Sequence, residues 1–341
     1  MQFAIINVKV QAILFGNIKN KNNNKIIKEN NQMKSMKNKT RIDGRLYQHT
    51  LELKESGPNS KNPGTKFITG NVEIATDDAI TNIVTVHYTY VTATTSTGKS
   101  NATFNVLKDI IDGKLGSVMA NGADNAAIIT IDSAIGLNEF YSDRNGQEEL
   151  VSAKRNEGGF AVVKSAADED ESKRNTFDVD MIITGTRMIE ADEEKNLPEK
   201  MILKGAIFDF RNALLPVEFS VLNPRAISYF ESLEITQRNP VFTRLQGRLV
   251  SEVIKTQRVE ESAFGDPIVK EYASTRKDWV VTWAASEPYA WDDESTITTA
   301  ELTKAMADRE TYLATVRQRQ EEYKASKNQP AAAPANQGFN F

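Results

Sequence analysis

The sequence predicts a mainly β protein with two small Greek-key barrels, followed by a C-terminal α-helix and a flexible tail. From Thr40 to about Tyr289, β-branched residues alternate with polar ones, and Gly, Asn and Asp stand at the breaks, a pattern typical of strands and turns. Glycine recurs inside these predicted strands. After Tyr289 the chain becomes rich in Ala, Glu, Arg, Gln and Lys, which favours a helix.

Residues 1–40 differ in composition from the rest of the chain. They contain eight lysines and one glutamate, whereas the whole chain of 341 residues has a net charge of −4. Asn, Lys and Ile dominate residues 17–40, so we predict a disordered basic extension and hypothesise that it lies upstream of the native start. The alternative is a basic arm that binds nucleic acid. The apolar run of residues 3–15 is too short to span a bilayer and lacks the features of a secretory signal, so we expect a cytoplasmic protein without membrane contact.

Two β-rich units are predicted, residues 41–166 and residues 176–290, with a charged linker at residues 167–175. Four glycines in these units stand between apolar residues two positions away on either side, namely Gly44, Gly70, Gly205 and Gly247. A glycine inside a strand costs stability, and its recurrence indicates strands that bend sharply. A five-stranded, partly open Greek-key barrel, the OB-fold, needs such bending and suits units of this length. A β-sandwich is the alternative.

Two internal echoes indicate that the units are related. Residues 68–78 (ITGNVEIATDD) resemble residues 183–193 (ITGTRMIEADE), and residues 41–46 (RIDGRL) resemble residues 244–249 (RLQGRL). We therefore expect a repeated architecture of two OB-like barrels.

Alternation along the predicted strands places aromatic and basic side chains on common faces. Over residues 241–250, Phe242, Arg244 and Arg248 share one face, and the other face is apolar. Rings that stack on bases and cations that neutralise phosphates would suit an unpaired strand of nucleic acid. The alternative is a sheet covered on both sides, with arginines exposed to solvent. The predicted nucleic-acid contacts on such faces, and in a basic turn near residue 155, are Arg41, Arg45, Tyr47, Lys154, Arg155, Lys204, Phe208, Phe210, Phe242, Arg244 and Arg248.

The composition argues against an enzyme. The chain has no cysteine, which excludes disulfide scaffolds, thiolate zinc sites and thiol nucleophiles. Only two histidines, His49 and His87, are present, too few for a histidine metal site and a poor basis for a Ser-His triad. Asp178 and Asp180 form the only close carboxylate pair on a predicted strand, without the spacing of a two-metal nuclease. We expect no catalysis, no metal and no cofactor.

The C-terminal region is predicted to form a helix followed by a flexible tail. Thr298 and Glu301 form a capping-box signature at the start of a helix predicted over residues 296–327. The flexible tail, residues 328–341, ends in Phe339 and Phe341. An exposed aromatic tip on a mobile tether predicts a partner-binding segment. An untidy terminus without function is the alternative.

Several segments resemble single-stranded DNA-binding proteins encoded by phages. Residues 137–141 (LNEFY) and 149–160 (ELVSAKRNEGGF) are similar to the strand, hairpin and strand of those proteins. Residues 215–219 (LPVEF) and 239–243 (NPVFT) are similar to segments of replication-associated OB proteins. The resemblance implies a tail that recruits replication or recombination proteins, although this tail has no acidic residue.

Together, the residues and the resemblance predict a single-stranded DNA-binding protein of a phage or mobile element. It would protect single strands during replication or recombination by backbone electrostatics and base stacking. The alternative is a β-rich structural virion or tail protein, which would assemble into large particles and ignore single-stranded DNA. The sequence leaves the oligomeric state open.

Overall fold

The computed structural model describes residues 36–144, 147–192, 197–260, 264, 268–291 and 297–327. In this part of the chain there are eleven strands and four α-helices. The strands are β1 (Asn38–His49), β2 (Glu52–Glu55), β3 (Lys66–Ala75), β4 (Ile83–Thr92), β5 (Ile128–Arg144), β6 (Gln147–Lys164), β7 (Asn175–Ile189), β8 (Lys200–Phe208), β9 (Leu214–Val221), β10 (Val241–Glu260) and β11 (Ile268–Ala284). The helices are α1 (Ala102–Ile111), α2 (Val118–Asn121), α3 (Pro224–Ser232) and α4 (Thr299–Lys327).

Strands β1 and β3–β6 close into the first barrel, barrel 1. Strand β1 pairs antiparallel with β3 and β5, β3 pairs with β4, and β5 pairs with β6. The barrel closes through a short parallel pairing of β4 with β6, at Val86 opposite Asn156. Helix α1 lies between β4 and β5 in the chain. This five-stranded Greek-key order is that of an OB-fold.

Strands β7–β11 repeat the same order in barrel 2. Strand β7 pairs antiparallel with β8 and β10, and β8 pairs with β9. Strands β10 and β11 form a long hairpin, and a parallel contact of Val280 with Ser220 closes the barrel between β11 and β9. Helix α3 lies between β9 and β10. The predicted mainly β fold, with two OB-like barrels and a C-terminal helix, is confirmed.

The four recurring glycines mark places where one strand crosses close over another. A Cβ atom on Gly205 would lie 1.9 Å from the carbonyl oxygen of Ile182, and one on Gly247 would lie 2.2 Å from that of Val280. Gly44 and Gly70 are equally close to carbonyl oxygens of neighbouring segments. Only a residue without a side chain allows this approach, so these glycines bend the strands of both barrels.

The internal echoes do not mark equivalent strands. Residues 68–78 include most of β3, the second strand of barrel 1, whereas residues 183–193 include the end of β7, the first strand of barrel 2. Residues 41–46 lie in β1 and residues 244–249 lie in β10, the fourth strand of barrel 2. The two barrels therefore repeat the same architecture, but the short similarities in sequence do not lie in equivalent strands of the two barrels.

The two barrels are joined through their first strands. Strand β1 pairs antiparallel with β7, from Asn38 opposite Val179 to Ile42 opposite Asn175, so one continuous sheet runs through both barrels. Because β1 begins at Asn38, residues 38–40 belong to this sheet, and their prediction as part of a disordered extension is wrong. Residues 1–35 lie outside the described residues.

Side-chain hydrogen bonds at the junction hold the two barrels together. The buried side chain of Arg174 donates a hydrogen bond to Asp78, 2.7 Å away, in the loop between β3 and β4. Nearby, the Asn82 side chain donates to the carbonyl oxygen of Leu249 at 3.1 Å and accepts from the amide of Ser251 at 2.7 Å. These contacts fix barrel 1 against β10 of barrel 2.

Helix α4 connects the two barrels along one side. It begins with a capping box, in which the amide of Glu301 donates to Thr298 Oγ1 at 3.2 Å and the amide of Thr298 donates to the Glu301 carboxylate at 2.8 Å. Its first turns pack on barrel 2 through Leu302 and Ala305. Further along, Arg309 forms a buried, two-point ion pair with Glu139 of β5. Among the described helices, none is long and apolar enough to cross a membrane.

Candidate nucleic-acid interface

Two aromatic residues predicted to contact nucleic acid are buried. Phe242 of β10 and Phe208 of β8 have no exposed surface, and they pack with Leu302 and Ala305 beneath α4. The ring of Phe242 lies 5.0 Å from the ring of Tyr289, measured between centroids. The prediction that these two rings stack on bases is therefore wrong. Alternation along each strand could not reveal that the C-terminal helix covers them.

Two of the three predicted cations of barrel 2, Arg244 and Lys204, are held by carboxylates of the same barrel. Arg244 donates to both carboxylate oxygens of Asp178, at 2.7 and 2.5 Å. Burial disfavours ionisation of Asp178, but the hydrogen bond and charge of Arg244 outweigh it and hold the pKa of this carboxyl below its usual range. Lys204 lies 3.2 Å from a carboxylate oxygen of Glu218.

In barrel 1 the predicted residues of β1 are half-buried and paired. Arg41 lies 3.1 Å from Asp132, and Arg45 lies 3.3 Å from Asp78. Tyr47 is half-buried on the same strand. Exposed ion pairs of this kind exchange readily with solvent or a ligand, so Arg41 and Arg45 keep the capacity to contact an anion.

The remaining predicted residues lie apart from one another. Arg248 donates from Nε to the side-chain oxygen of Asn175 at 3.0 Å. Phe210, in the turn between β8 and β9, is 80% exposed. Phe339 and Phe341 lie outside the described residues. The predicted contacts thus do not all lie on one face, and of the set Lys154 and Arg155 line a common groove.

That groove lies between the two barrels and has a volume of about 340 Å³. Strands β3, β4 and β6 of barrel 1 form one wall, and β10 and β11 of barrel 2 form the other. We call it the inter-barrel groove. Its lining residues are Asn71, Ile83, Val84, Thr85, His87, Lys154, Arg155, Asn156, Leu249, Val250, Ser251, Lys277, Asp278 and Trp279.

Lys154 is the most enclosed cation of the inter-barrel groove. Its ammonium group donates to the carbonyl oxygen of Glu218 and lies 4.9 Å from the ring centroid of Phe219 and 5.7 Å from that of Trp279. Burial lowers the pKa of Lys154 to about 8, although the charges of Asp278 and Glu218 oppose the shift. Lys154 therefore joins the barrels and is a weaker phosphate contact than the sequence predicts.

The other charges give the inter-barrel groove a positive balance. The exposed Lys277 adds one cation, and Arg155 adds another that is paired with Glu157, 2.5 Å away. Asp278, the carboxylate among the lining residues, is 2.6 Å from the ammonium group of Lys200. His87 lies 2.7 Å from the side-chain oxygen of Asn71, and burial, aided by the charge of Arg155, lowers the pKa of His87. Within the described residues, no group of three His, Asp or Glu side chains is arranged to hold a metal ion.

The outer side of β3 and β4 continues this groove toward a pair of rings, one half-buried and one exposed. Phe67 and Tyr90 have ring centroids 4.4 Å apart, at an interplanar angle of 33°, and Tyr90 is 47% exposed. Asn71 and His87 stand opposite each other on the same two strands and line the inter-barrel groove. We call the surface formed by Phe67, Asn71, His87 and Tyr90 the β3–β4 face.

Phe67 and Tyr90 are not among the contacts predicted from the sequence. Strict alternation puts Tyr90 on the same side of β4 as Tyr88, which is buried in barrel 1. The pairing of β3 with β4 shifts by one residue between Ile68 and Gly70, and this irregularity places Tyr90 on the outside beside Phe67. One signal was available, because residues 79–108 contain no Asp or Glu.

The corresponding surface of barrel 2 is covered. Strands β8 and β9 occupy the positions of β3 and β4, but Ile202, Ala206 and Phe208 of β8 are buried, and Leu214 of β9 packs against the cluster beneath α4. The equivalent face of barrel 1 is open along β3 and β4. In the described structure, the β3–β4 face is thus the accessible one of the two.

Comparison with known proteins gives distant likenesses and one family. A deletion mutant of the single-stranded DNA binding protein from Thermus aquaticus aligns over 76% of this chain and 98% of its own, with 8% identity and a TM-score of 0.40. A replication protein A heterotrimer bound to single-stranded DNA aligns over 74% of this chain and 52% of its own, with 10% identity and a TM-score of 0.21. The curated proteins contain no match. The model of the YorF family matches residues 37–321, which span both barrels and most of α4, and the chain therefore belongs to the YorF family.

Proposed function

We propose that this protein binds single-stranded DNA along the β3–β4 face and the inter-barrel groove. The observation that carries the proposal is the ring pair of the half-buried Phe67 and the exposed Tyr90, on the same outer surface as the cationic groove. In OB-folds the second and third strands and the loops beside them are the usual place for oligonucleotides and oligosaccharides. Cations next to exposed rings favour the ligand that has phosphates.

The rings account for a preference for unpaired bases. Every base has a flat π-face that can stack on an aromatic side chain, and each such contact contributes about 1–3 kcal/mol. A base inside a duplex has both faces covered by its neighbours, so it cannot reach Tyr90. Thr69 and Asn71, half-buried on the same strand as Phe67, supply polar groups along the path without adding charge.

The cations account for attraction to the backbone. Lys54 stands directly opposite Phe67 in the pairing of β2 with β3, although it also lies 2.8 Å from Glu52. Lys277 and Arg155 stand at the other end of the path. A strand that runs between them would exchange its counterions for these side chains, which makes binding salt-dependent.

The biological setting is part of the proposal. The resemblance to phage-encoded proteins supports a phage or mobile element as the source, with protection of single strands during replication or recombination as the role. A partner protein would be recruited by Phe339 and Phe341 at the end of the tail. The sequence of the tail supports this assignment through its two phenylalanines on an uncharged tether.

The direct test is fluorescence anisotropy with a labelled oligo(dT) of about 10 nucleotides, within the site size of one OB barrel. Tyr90→Ala should weaken binding about 5- to 150-fold at every salt concentration, because one stacking contact is lost. The matched control is Phe210→Ala, which removes an exposed ring outside the β3–β4 face and should bind as the wild type does. Equal loss in both variants would refute the assignment of the face.

A charge variant separates the two ends of the path. Lys277→Gln should lower the slope of log affinity against log salt by about 0.7, the value for one phosphate contact on a single strand. An unchanged slope would remove the inter-barrel groove from the site. Size-exclusion chromatography with and without the oligonucleotide tests the alternative of a structural virion or tail protein. Large symmetric particles that do not bind the oligonucleotide would support that alternative.

A further inference from the structure

The sheet shared by the two barrels has an outer surface that the proposed site does not use. It runs through β6, β5, β1, β7, β10 and β11. Cross-strand neighbours point to the same side of a sheet, so the pairings show which side chains share this surface. On one side of the junction Arg41, Asp132 and Phe160 stand in a row, and on the other side Asp178, Gln246 and Trp283 do so. We call this surface the shared-sheet face.

An exposed ring stands at each end of the shared-sheet face. Phe160 on β6 is 76% exposed and Trp283 on β11 is 47% exposed. The guanidinium group of Arg244 lies 5.9 Å from the ring centroid of Trp283. Five strand spacings separate β6 from β11, which is about 24 Å along the sheet. The two rings lie on the fifth strands of the two barrels, β6 and β11.

Cations outnumber exposed carboxylates on this face. Lys39 and Arg41 of β1 stand opposite Asp178 and Thr176 of β7, and Arg248 stands opposite Thr176 from the other side. With Arg244, four cations share this face with Asp132 and Asp178, while Asp180 opposite Arg244 is buried and Glu157 of β6 is paired with Arg155. Arg248 donates to two neutral oxygens, the Asn175 side chain at 3.0 Å and the Glu171 carbonyl at 3.3 Å, and so retains its charge for an outside anion.

The shared-sheet face is close to the β3–β4 face. Helix α1 begins between them, because the Asn101 side chain donates to the carbonyl oxygen of Thr92 on β4 at 2.9 Å. From the first turn of α1, Thr103 donates to the carbonyl oxygen of Gly159 on β6 at 3.4 Å. Gly159 precedes Phe160, so a strand that leaves Tyr90 has only the start of α1 to cross before it meets the next exposed ring.

We infer that the shared-sheet face binds a second segment of the same single strand, with Phe160 and Trp283 stacking on bases and Lys39, Arg41 and Arg248 contacting phosphates. This inference rests on the proposed function and extends the path from barrel 1 across the junction to barrel 2. It also gives a role to two arginines that the sequence predicts as nucleic-acid contacts, Arg41 and Arg248, which the shared sheet brings together.

The test compares two oligonucleotide lengths on the full chain. A strand of about 10 nucleotides occupies the site of one barrel, whereas one of about 40 nucleotides can reach both surfaces. The double variant Phe160→Ala/Trp283→Ala should bind the short strand within about twofold of wild type and the long strand at least about tenfold more weakly. Phe210→Ala again serves as the matched control. Lys39→Gln should lower the salt slope by about 0.7 with the long strand alone.

The outcomes separate the two proposals. A wild-type protein that binds neither strand overturns the proposed function and the inference with it. A wild-type protein that binds both, with the double variant unchanged on the long strand, overturns the inference alone. Weakened binding of the short strand by the double variant also overturns it, because the two surfaces would then not be separate. Tyr90→Ala should weaken both lengths, which confirms that the short strand reports on the β3–β4 face.

Discussion

The buried ion pair between α4 and barrel 1 gives a prediction whose size follows from the structure. The side chain of Glu139 is 1% exposed and that of Arg309 is 10% exposed. Arg309→Met would leave a carboxylate in a nearly dry site, which costs about 3–5 kcal/mol in comparable pairs.

The burial of the pair sets the magnitude. The loss of unfolding free energy in Arg309→Met should reach about 3–5 kcal/mol. Urea unfolding of the variant and the wild type measures this loss. Hydrogen exchange along α4 shows whether the second half of the helix is released from the β5–β6 hairpin before the barrels unfold.

Two further variants serve as controls for the Arg309→Met prediction. Arg309→Met combined with Glu139→Leu should recover most of the lost stability, because no charge is left buried. Arg317→Met removes an exposed pair with Glu148, 3.3 Å apart on the same helix and hairpin, and should cost less than about 1 kcal/mol. A loss in Arg309→Met that is no larger than the loss in Arg317→Met would refute the reasoning.

Three other variants test the fold and the groove. Phe242→Ala should lower the unfolding free energy by about 3–5 kcal/mol because the ring is fully buried, and a folded variant with only weaker oligonucleotide binding would contradict this. Gly205→Ala should cost about 3 kcal/mol or more, since its Cβ would lie 1.9 Å from the Ile182 carbonyl oxygen. Gly185→Ala, with open space around it, should change thermal stability little. Lys154 has a pKa of about 8 in the folded protein against 10.5 in the unfolded chain, so stability should rise with pH between these values. Lys154→Met should abolish that rise in unfolding experiments at pH 7, 9 and 10, and an unchanged rise would show that other groups cause it.

The sequence predicted the barrels well because their signals are local. A glycine on which a Cβ atom would lie 1.9–2.3 Å from a carbonyl oxygen leaves a trace in its own segment, and so does the capping box at Thr298. The predicted site depended on what lies outside each strand, which is not local. Phe242 and Leu302 are separated by 60 positions but pack in one cluster, and nothing near Phe242 announces the helix that covers it.

The exposure of Tyr90 could not be predicted from the sequence for a different physical reason. Alternation assumes an unbroken pleat, and a single irregularity between β3 and β4 exchanges inside and outside for the residues beyond it. The arginines were placed correctly on an outer surface. Their convergence across the junction required the pairing of β1 with β7, whose register cannot be read from either strand alone.

The pairing of β1 with β7 has a consequence for synthesis of the chain. The first half of β1 has β5 on one side, but its other side meets β7, which begins only at Asn175. Until β7 has left the ribosome, the first half of β1 in the nascent barrel has a row of unpaired amide and carbonyl groups along one side. An uncovered edge of this kind recruits any available strand, so a fragment ending near residue 166 should self-associate, whereas the longer chain supplies its own cover.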